Sequence, residues 1–247
     1  MMNPPKNSLQ KTPTGIEGLD EITNGGLPTG RTTLIRGSAG SGKTSLAMTF
    51  LKTACERGGS ALYLGFEESI DQVFRNMSSI GLDLRPLVEK VLLHFHTVRL
   101  SSLGLEAHLA FIHRVIKRVG PKAIVMDPIT AFFSSPDTGA TKSMLTRLVD
   151  FLKTKQITAM LTHLSSVGGR LAKTDENVSS IMGTWLLLRD VEHKGARNSV
   201  LYFLKSRDMA HSHEMRNLIL TDDGFLLGES CTMGLSSAPK HAEQAIR

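Results

Sequence analysis

One short stretch has the residue types and spacing of a phosphate-binding loop. Gly37-Ser38-Ala39-Gly40-Ser41-Gly42-Lys43-Thr44 fits the pattern GxxxxGK[ST], follows the strand-like TTLIR and opens a helical pattern. Its glycines let backbone N–H groups converge on phosphate oxygens, and a helix beginning here adds the positive end of its dipole. Lys43 would bridge the β- and γ-phosphates and Thr44 would bind Mg²⁺ through its hydroxyl. With Ser45, which follows, this loop is the predicted nucleotide site.

Carboxylates follow two other strand-like segments. Asp127 ends the apolar run AIVMD, where an Asp of a P-loop protein holds the Mg²⁺ shell, although many strands also end in Asp as a turn residue. Glu67 and Glu68 come directly after ALYLGF. One of them could orient and deprotonate a water or hydroxyl while the other supports it or the metal shell. The alternative is that both acids stabilise the first turn of the next helix.

The elements that would position these residues alternate along the chain as in an α/β protein with a mainly parallel sheet. The residue pattern predicts strands at 31–36, 61–66, 91–96, 123–127, 158–162 and 184–189, followed by a β-hairpin of 199–204 with 214–220. It predicts helices at 43–57, 69–80, 104–119 and 141–155. The carboxyl ends of parallel strands share one edge of a sheet, so the loop and the carboxylates should meet there.

Composition excludes several classes of protein. The chain has 247 residues, 40% hydrophobic and 21% charged, which is typical of one globular domain. Its 29 basic and 23 acidic residues give a formal charge of +6, which permits a polyanionic partner. Two cysteines, Cys55 and Cys231, cannot form a disulfide framework. We find no signal peptide and no apolar run of membrane-spanning length, and we expect a cytoplasmic protein with a flexible arm at 1–13, a domain at 14–228 and a flexible tail at 229–247.

Three segments together resemble one family of ATPases. The run TGIEGLDEITNGGLPTGRTTLIRGSAGSGKT, the EE pair one strand later and the late LKSRDMAHS are similar to the KaiC family, RecA-like ATPases best known from cyanobacterial circadian clocks. The resemblance covers about 14–227. It implies a RecA-like fold, the cofactors ATP and Mg²⁺, and a homo-oligomeric ring, a hexamer, with ATP at subunit interfaces. It also implies a clock or signalling partner protein. Family members often carry two such domains in tandem, and this chain has one.

Some segments resemble the autokinase half of the two-domain family members. GLEAHL at 104–109 and TDENVSS at 174–180 are similar to that half, in which a Ser-Thr pair accepts phosphate across a subunit interface. The resemblance makes Thr174, Ser179 and Ser180 candidate phosphoacceptors of a serine/threonine autokinase, with Ser180 standing where the family has Thr. As local structure, the same residues could be turn residues or helix caps.

The late segment LKSRD contains the other candidate catalytic residues. Lys205 and Arg207 match the family's Lys-x-Arg, which reaches the γ-phosphate of ATP held by the neighbouring subunit, as an arginine finger does. Asp208 stands where family members usually have Gly, and an acid beside the finger could form a competing ion pair. The alternative is a solvated basic stripe on a β-hairpin.

Two other functions use the same ATPase core. A DNA-directed recombinase paralogue of RecA type would grip single strands with the loops 134–142 and 165–180. Those loops mix basic and acidic residues and contain no aromatic residue for base stacking, which disfavours nucleic acid. A non-enzymatic signalling module, in which ATP only sets assembly, is disfavoured by Glu67, Lys205 and Arg207. We therefore expect a ring ATPase, with self-phosphorylation left open.

Overall fold

The computed structural model describes residues 10–98, 104–134, 137–165, 178, 180–193, 196–207, 209, 211–212, 214–221 and 224–230. The strands are β1 (Lys11–Thr12), β2 (Leu27–Pro28), β3 (Thr32–Gly37), β4 (Ala61–Gly65), β5 (Leu93–Thr97), β6 (Ala123–Asp127), β7 (Thr158–Leu164), β8 (Thr184–His193), β9 (Ala196–Ser206), β10 (Arg216–Thr221) and β11 (Gly224–Ser230). The helices are α1 (Leu19–Ile22), α2 (Lys43–Glu56), α3 (Ile70–Ser78), α4 (Arg85–Glu89), α5 (Leu105–Val119) and α6 (Thr138–Thr154), with a 3₁₀ helix at Ile129–Ser134.

A nine-stranded sheet in the order β11-β10-β9-β8-β3-β7-β6-β4-β5 organises the fold. The neighbours from β8 to β5 run parallel, and β8, β9, β10 and β11 pair antiparallel in succession. The predicted α/β, RecA-like class with a mainly parallel sheet is thus confirmed. Its carboxyl edge gathers the ends of β3, β4, β6 and β7.

The antiparallel end of the sheet is larger than the predicted hairpin. β9 does pair with β10, through Leu201 opposite Arg216, but most of β9 pairs with β8. Because of that pairing β8 extends to His193, whereas we predicted that it ends at Arg189. β11 is a further strand that we did not predict. The length of these strands is set by hydrogen bonds to a neighbouring strand. The hydrophobic periodicity of one segment does not indicate which neighbour it pairs with.

Alternation along the parallel strands supplies a core on each face of the sheet. In β6, Val125 packs on one side with α2 and α3, whereas Ile124 and Met126 pack on the other with α5 and α6. Helices on both faces explain why the strands are almost continuously apolar. Tyr63 lies on the α2 side, in the same core as Val125.

Capping side chains decide where two helices begin. The Ser69 hydroxyl accepts a hydrogen bond from the Gln72 N–H at 3.3 Å, so α3 begins at Ile70. Asp137 accepts from the Ala140 N–H at 2.9 Å, so α6 begins at Thr138 rather than at the predicted Thr141. Ser69, and neither preceding glutamate, is therefore the cap of α3.

Strands extend beyond both ends of the 14–228 segment that we expected to form the domain. Lys11 and Thr12, placed in the N-terminal arm, form β1 against β2, and the Thr12 hydroxyl contacts those of Thr29 at 2.8 Å and Thr158 at 3.0 Å. At the other end β11 continues to Ser230. A two-residue strand has no periodicity, so only its partner reveals it. The rest of the arm (1–9) and of the tail (231–247) lies outside the described residues.

We also did not predict α1, α4 or the 3₁₀ helix, which are too short for a helical pattern to stand out. Within the described parts of the chain, no helix combines the length and the apolar character needed to cross a bilayer.

Candidate nucleotide site

The glycine-rich loop connects β3 to α2 as the motif requires. Gly42 caps α2 with φ 90°, a left-handed conformation that favours glycine. At Gly37 the reason is space, because a Cβ would lie 2.5 Å from Ser41 Oγ and 2.9 Å from the Leu188 carbonyl oxygen. The loop is thus held close to both its own turn and the neighbouring β8. This geometry leaves the first N–H groups of α2 at the carboxyl edge of the sheet.

Lys43 lies at the centre of this loop. The residue is buried, and its Nζ donates to the Ser38 carbonyl at 2.6 Å. Burial lowers the pKa of Lys43, while the negative charges of Asp127 and Glu67 act in the opposite direction. The ammonium therefore lies within the field of two of the three carboxylates that the sequence singled out.

Asp127 meets the loop directly. It is buried at the end of β6, and the Thr44 hydroxyl donates to its Oδ2 at 2.7 Å. Two further hydroxyls converge on the same carboxylate: Tyr63 donates to Oδ2 at 3.2 Å, and Thr162 donates to Oδ1. Burial raises the pKa of Tyr63 far above its ordinary value, with the Asp127 charge adding to the shift, so this hydroxyl keeps its proton.

We did not single out Tyr63 or Thr162 from the sequence. Thr162 lies near the end of β7 and Tyr63 lies within β4, the two strands that flank β6. The signal available was a polar side chain near the carboxyl end of a buried strand. That signal becomes specific only when the strand order β7-β6-β4 is known.

Glu67 and Glu68 follow β4 on the same edge. The Phe66 N–H donates to the Asp127 carbonyl at 2.9 Å, which holds this turn beside β6. Glu67 is exposed, whereas Glu68 is half-buried and accepts from Asn76 Nδ2 at 3.4 Å. Burial raises the pKa of Glu68, and the charges of Asp127 and Glu67 raise it further. Two adjacent carboxylates with different exposure therefore lie near Asp127 at this edge.

The donor set fits ATP with Mg²⁺. Mg²⁺ prefers oxygen ligands and is usually held by one or two carboxylates together with substrate phosphates and water. Thr44 and Asp127 supply a hydroxyl and a carboxylate 2.7 Å apart, next to the loop that would hold the phosphates. Among the described residues no group of three or more His, Cys, Asp or Glu could hold a metal by itself.

Lys205 and Arg207 lie away from their own chain's loop. In the sheet, Lys205 is opposite Trp185, and Trp185 is opposite Leu34 of β3. From Leu34 the strand continues to Gly37, roughly 10 Å along the sheet, and β9 is separated from β3 by two strand spacings, roughly 10 Å across it. The antiparallel course of β9 carries the chain to the opposite edge of the parallel strands, so the structure does not bring these residues together with Lys43.

Ser180 lies on that opposite edge as well. It is exposed, and its carbonyl accepts from Arg207 Nη1 at 3.1 Å. The Lys205 ammonium lies 5.9 Å from the centre of the Trp185 ring, a cation–π distance, and burial lowers its pKa, with the Arg207 charge adding to the effect. The other candidate phosphoacceptors, Thr174 and Ser179, and also Asp208, lie outside the described residues.

A glycine-rich loop between a central parallel strand and a helix, with an aspartate on a nearby strand, defines a P-loop ATPase core of the RecA-like type. The family model described as "ATPase: KaiC" matches residues 12–230. The chain therefore belongs to the KaiC ATPase family, and the resemblance found in the sequence is confirmed.

Curated relatives agree with this family. The circadian clock protein KaiC2 of Synechocystis sp. is 42% identical over 226 residues, covering 90% of this chain and 40% of that protein. The circadian clock oscillator protein KaiC of Thermostichus vulcanus is 30% identical over 226 residues, covering 91% and 44%. That of Synechococcus elongatus is 29% identical over 220 residues, covering 89% and 42%. The chain spans less than half the length of these relatives.

Proposed function

We propose that this domain binds Mg·ATP and hydrolyses it to ADP and phosphate, with sites completed between copies of the chain in a hexameric ring. The observation that carries the proposal is the 2.7 Å contact between Thr44 and Asp127 beside the buried Lys43. This contact supports the proposal, because phosphoryl transfer by a P-loop protein uses a hydroxyl, a carboxylate and an ammonium close together.

The loop residues bind and orient the phosphates. Backbone N–H groups of Gly37–Ser45 and the start of α2 face phosphate oxygens, and Lys43 gives up its bond to Ser38 to reach them. When bound, Mg²⁺ offsets negative charge on the β- and γ-phosphates. Thr44 and Asp127 would hold that cation, and their mutual hydrogen bond keeps their oxygens together.

Glu67 acts as the general base. Its exposed carboxylate takes a proton from the attacking water as the water oxygen bonds to the γ-phosphorus and the bond to the β-phosphate oxygen breaks. Glu68 is suited to a supporting role, because it is half-buried, bonded to Asn76 and has a raised pKa.

Lys205 and Arg207 act on the ATP of a neighbouring copy. Their position on the edge opposite their own loop supports this assignment, because residues that lie away from their own loop can reach ATP only on another copy, and a cyclic ring repeats one such contact between unlike surfaces. Arg207 then stabilises charge that develops in the transition state.

ATP hydrolysis by Glu67→Gln compared with the wild type tests the proposal. We expect turnover to fall roughly 100-fold or more, the contribution typical of a general base, while ATP affinity changes little. Glu89→Gln on α4 is the matched control, since Glu89 is exposed and lies on a helix outside the motif. Equal turnover of wild type and Glu67→Gln would remove Glu67 from the reaction, and a wild type that binds Mg·ATP without releasing phosphate would contradict hydrolysis.

Autophosphorylation is the second candidate function, supported by the exposure of Ser180 and its contact with Arg207. The Ser180 hydroxyl would replace water as the nucleophile at ATP held by the next copy. Intact mass after incubation with Mg·ATP, followed by peptide mapping, tests this. A phosphoryl group on Ser180, Ser179 or Thr174 that is lost in Glu67→Gln supports the autokinase. Hydrolysis without any adduct contradicts it.

The clock or signalling role rests on the relatives' names, circadian clock protein KaiC2 and circadian clock oscillator protein KaiC. We propose a partner protein that responds to the nucleotide state of the ring. The described residues do not support the DNA-directed alternative. That alternative uses 134–142 as a loop that grips single strands, whereas most of this segment belongs to α6. A salt-sensitive rise in ATPase rate with single-stranded DNA would favour it.

A further inference from the structure

We infer that Tyr63 is a positioning residue for the metal site: its hydroxyl, together with that of Thr162, sets the orientation of the Asp127 carboxylate and thereby the affinity for Mg²⁺. This inference rests on the proposed function. It concerns a residue whose described hydrogen bond is to Asp127 and not to the loop, and that no motif identifies.

The carboxylate of Asp127 is held on both oxygens. Oδ2 accepts from Thr44 and Tyr63, and Oδ1 accepts from Thr162. A carboxylate held at one oxygen can still rotate about the bond that carries it. Donors on both oxygens, from the strands on either side of β6, remove that freedom.

Thr44 has a second task, because its oxygen would also bind the cation. A hydroxyl can bind a metal through its oxygen and still donate its hydrogen to Asp127, so the bond to Oδ2 is compatible with both states. Tyr63 and Thr162 have no such task. Both donate to the carboxylate from buried positions in the sheet. Tyr63 is 1% exposed and Thr162 is 0% exposed.

Core packing requires the ring of Tyr63 but not its hydroxyl. Its ring packs against Phe95, with ring centres 5.3 Å apart, and phenylalanine would make the same contact. A hydroxyl buried among apolar side chains is costly unless it is bonded, and the bond it makes is to Asp127. The hydroxyl thus contributes to the site, whereas the ring contributes to the core.

Outer hydrogen bonds of this kind orient a metal's ligands, and their loss typically lowers metal affinity 10- to 100-fold. We therefore expect Tyr63→Phe to weaken Mg²⁺ binding about tenfold or more. Nucleotide affinity in the absence of Mg²⁺ should stay within about twofold, because Lys43 and the loop do not contact Tyr63 in the described bonds.

The experiment has two parts. Binding of a fluorescent ATP analogue is measured in EDTA, and Mn²⁺, followed by its paramagnetic resonance, is then titrated into protein saturated with a non-hydrolysable ATP analogue. Tyr202→Phe on β9 is the matched control, since this half-buried tyrosine lies far from Asp127 in the strand order. Thr162→Val should act like Tyr63→Phe, and Thr162→Ser should restore affinity by returning the hydroxyl.

The expected result is a metal midpoint about tenfold higher in Tyr63→Phe than in Tyr202→Phe, with equal affinity in EDTA. Equal metal midpoints in these two variants would overturn the inference while leaving the proposed function intact. A fall in affinity in EDTA as large as the shift in the metal midpoint would also overturn it, as it would show a general disturbance of the loop. A wild type that binds nucleotide neither with nor without metal would contradict the inference and the proposed function together.

Discussion

The Lys43 ammonium donates a hydrogen bond to the Ser38 carbonyl at 2.6 Å, within the loop to which both residues belong. The cation is thus kept inside the loop that we propose for phosphate, close to Asp127 and Glu67, whose charges act on its pKa. A phosphate oxygen entering the loop offers this ammonium a charged acceptor in place of a neutral one. We therefore propose that Lys43 exchanges Ser38 for a phosphate oxygen when nucleotide binds.

Lys43→Ala should lower ATP affinity roughly 10- to 100-fold, since hydrogen bonds to charged groups contribute about 1.5–3 kcal/mol. Isothermal titration calorimetry with ATP measures this. Lys52→Ala is the control on the same helix: Lys52 pairs with Glu56 at 2.7 Å on the surface, and its removal should leave affinity unchanged. Equal affinities in the two variants would show that phosphate is bound elsewhere.

Gly37→Ala should destabilise the fold by about 1–3 kcal/mol, because the added Cβ is forced against neighbouring atoms in a packed site. It would lie 2.5 Å from Ser41 Oγ and 2.9 Å from the Leu188 carbonyl, and the backbone of β8 cannot easily yield. Urea unfolding gives the free energy. Gly104→Ala is the control, since its Cβ would meet no atom within 4 Å and its φ is −68°. If both substitutions cost the same, the close approach at Gly37 has no energetic consequence.

Glu68→Gln should stabilise the folded protein at neutral pH. The pKa of Glu68 is raised from 4.5 in the folded state by burial and by the charges of Asp127 and Glu67. Between its ordinary and raised pKa the folded state binds more protons than the unfolded state, so stability falls as the pH rises. Glutamine removes that loss, and the gain should disappear below pH 4.5.

Urea midpoints at pH 7.5 and at pH 4 measure this difference for Glu68→Gln. Glu89→Gln, at an exposed position on α4, is the comparison and should show no gain that depends on pH. A lower midpoint for Glu68→Gln at pH 7.5 would mean that the charged form of Glu68 is favoured in the folded protein.

Mixing two inactive variants should restore activity if Arg207 acts in a neighbouring copy. Lys43→Ala chains lack the phosphate-binding lysine but keep Arg207, and Arg207→Ala chains, roughly 1,000-fold slower by the usual contribution of an arginine finger, keep the loop. Random mixing places an intact loop against an intact Arg207 at about one interface in four, so about a quarter of wild-type activity should return. Mixtures as inactive as the separate variants would place Arg207 outside the neighbour's site.

Much of the ATPase core could be predicted from local patterns. The strand at Ala123–Asp127 lies where its apolar run predicted it, because a buried parallel strand is apolar throughout and ends at a polar residue. The phosphate loop lies between β3 and α2 as predicted, because its glycines and lysine are contiguous in the chain. Strand order was not predictable in the same way. Tyr63 and Thr162 meet at Asp127 from segments 99 residues apart in the sequence, and no pattern within either segment indicates the other.

The sequence by itself determined the chemistry available to this protein: a phosphate-binding loop, an aspartate after a buried strand, a glutamate pair, and membership of the KaiC family. These are local features, in which residue type and spacing are sufficient. Only the tertiary structure decided which side chains orient Asp127, and that Lys205 and Arg207 lie on the edge opposite their own loop. The physical reason is that strand order and antiparallel return depend on pairing between distant segments, and that pairing is set by packing of the whole sheet.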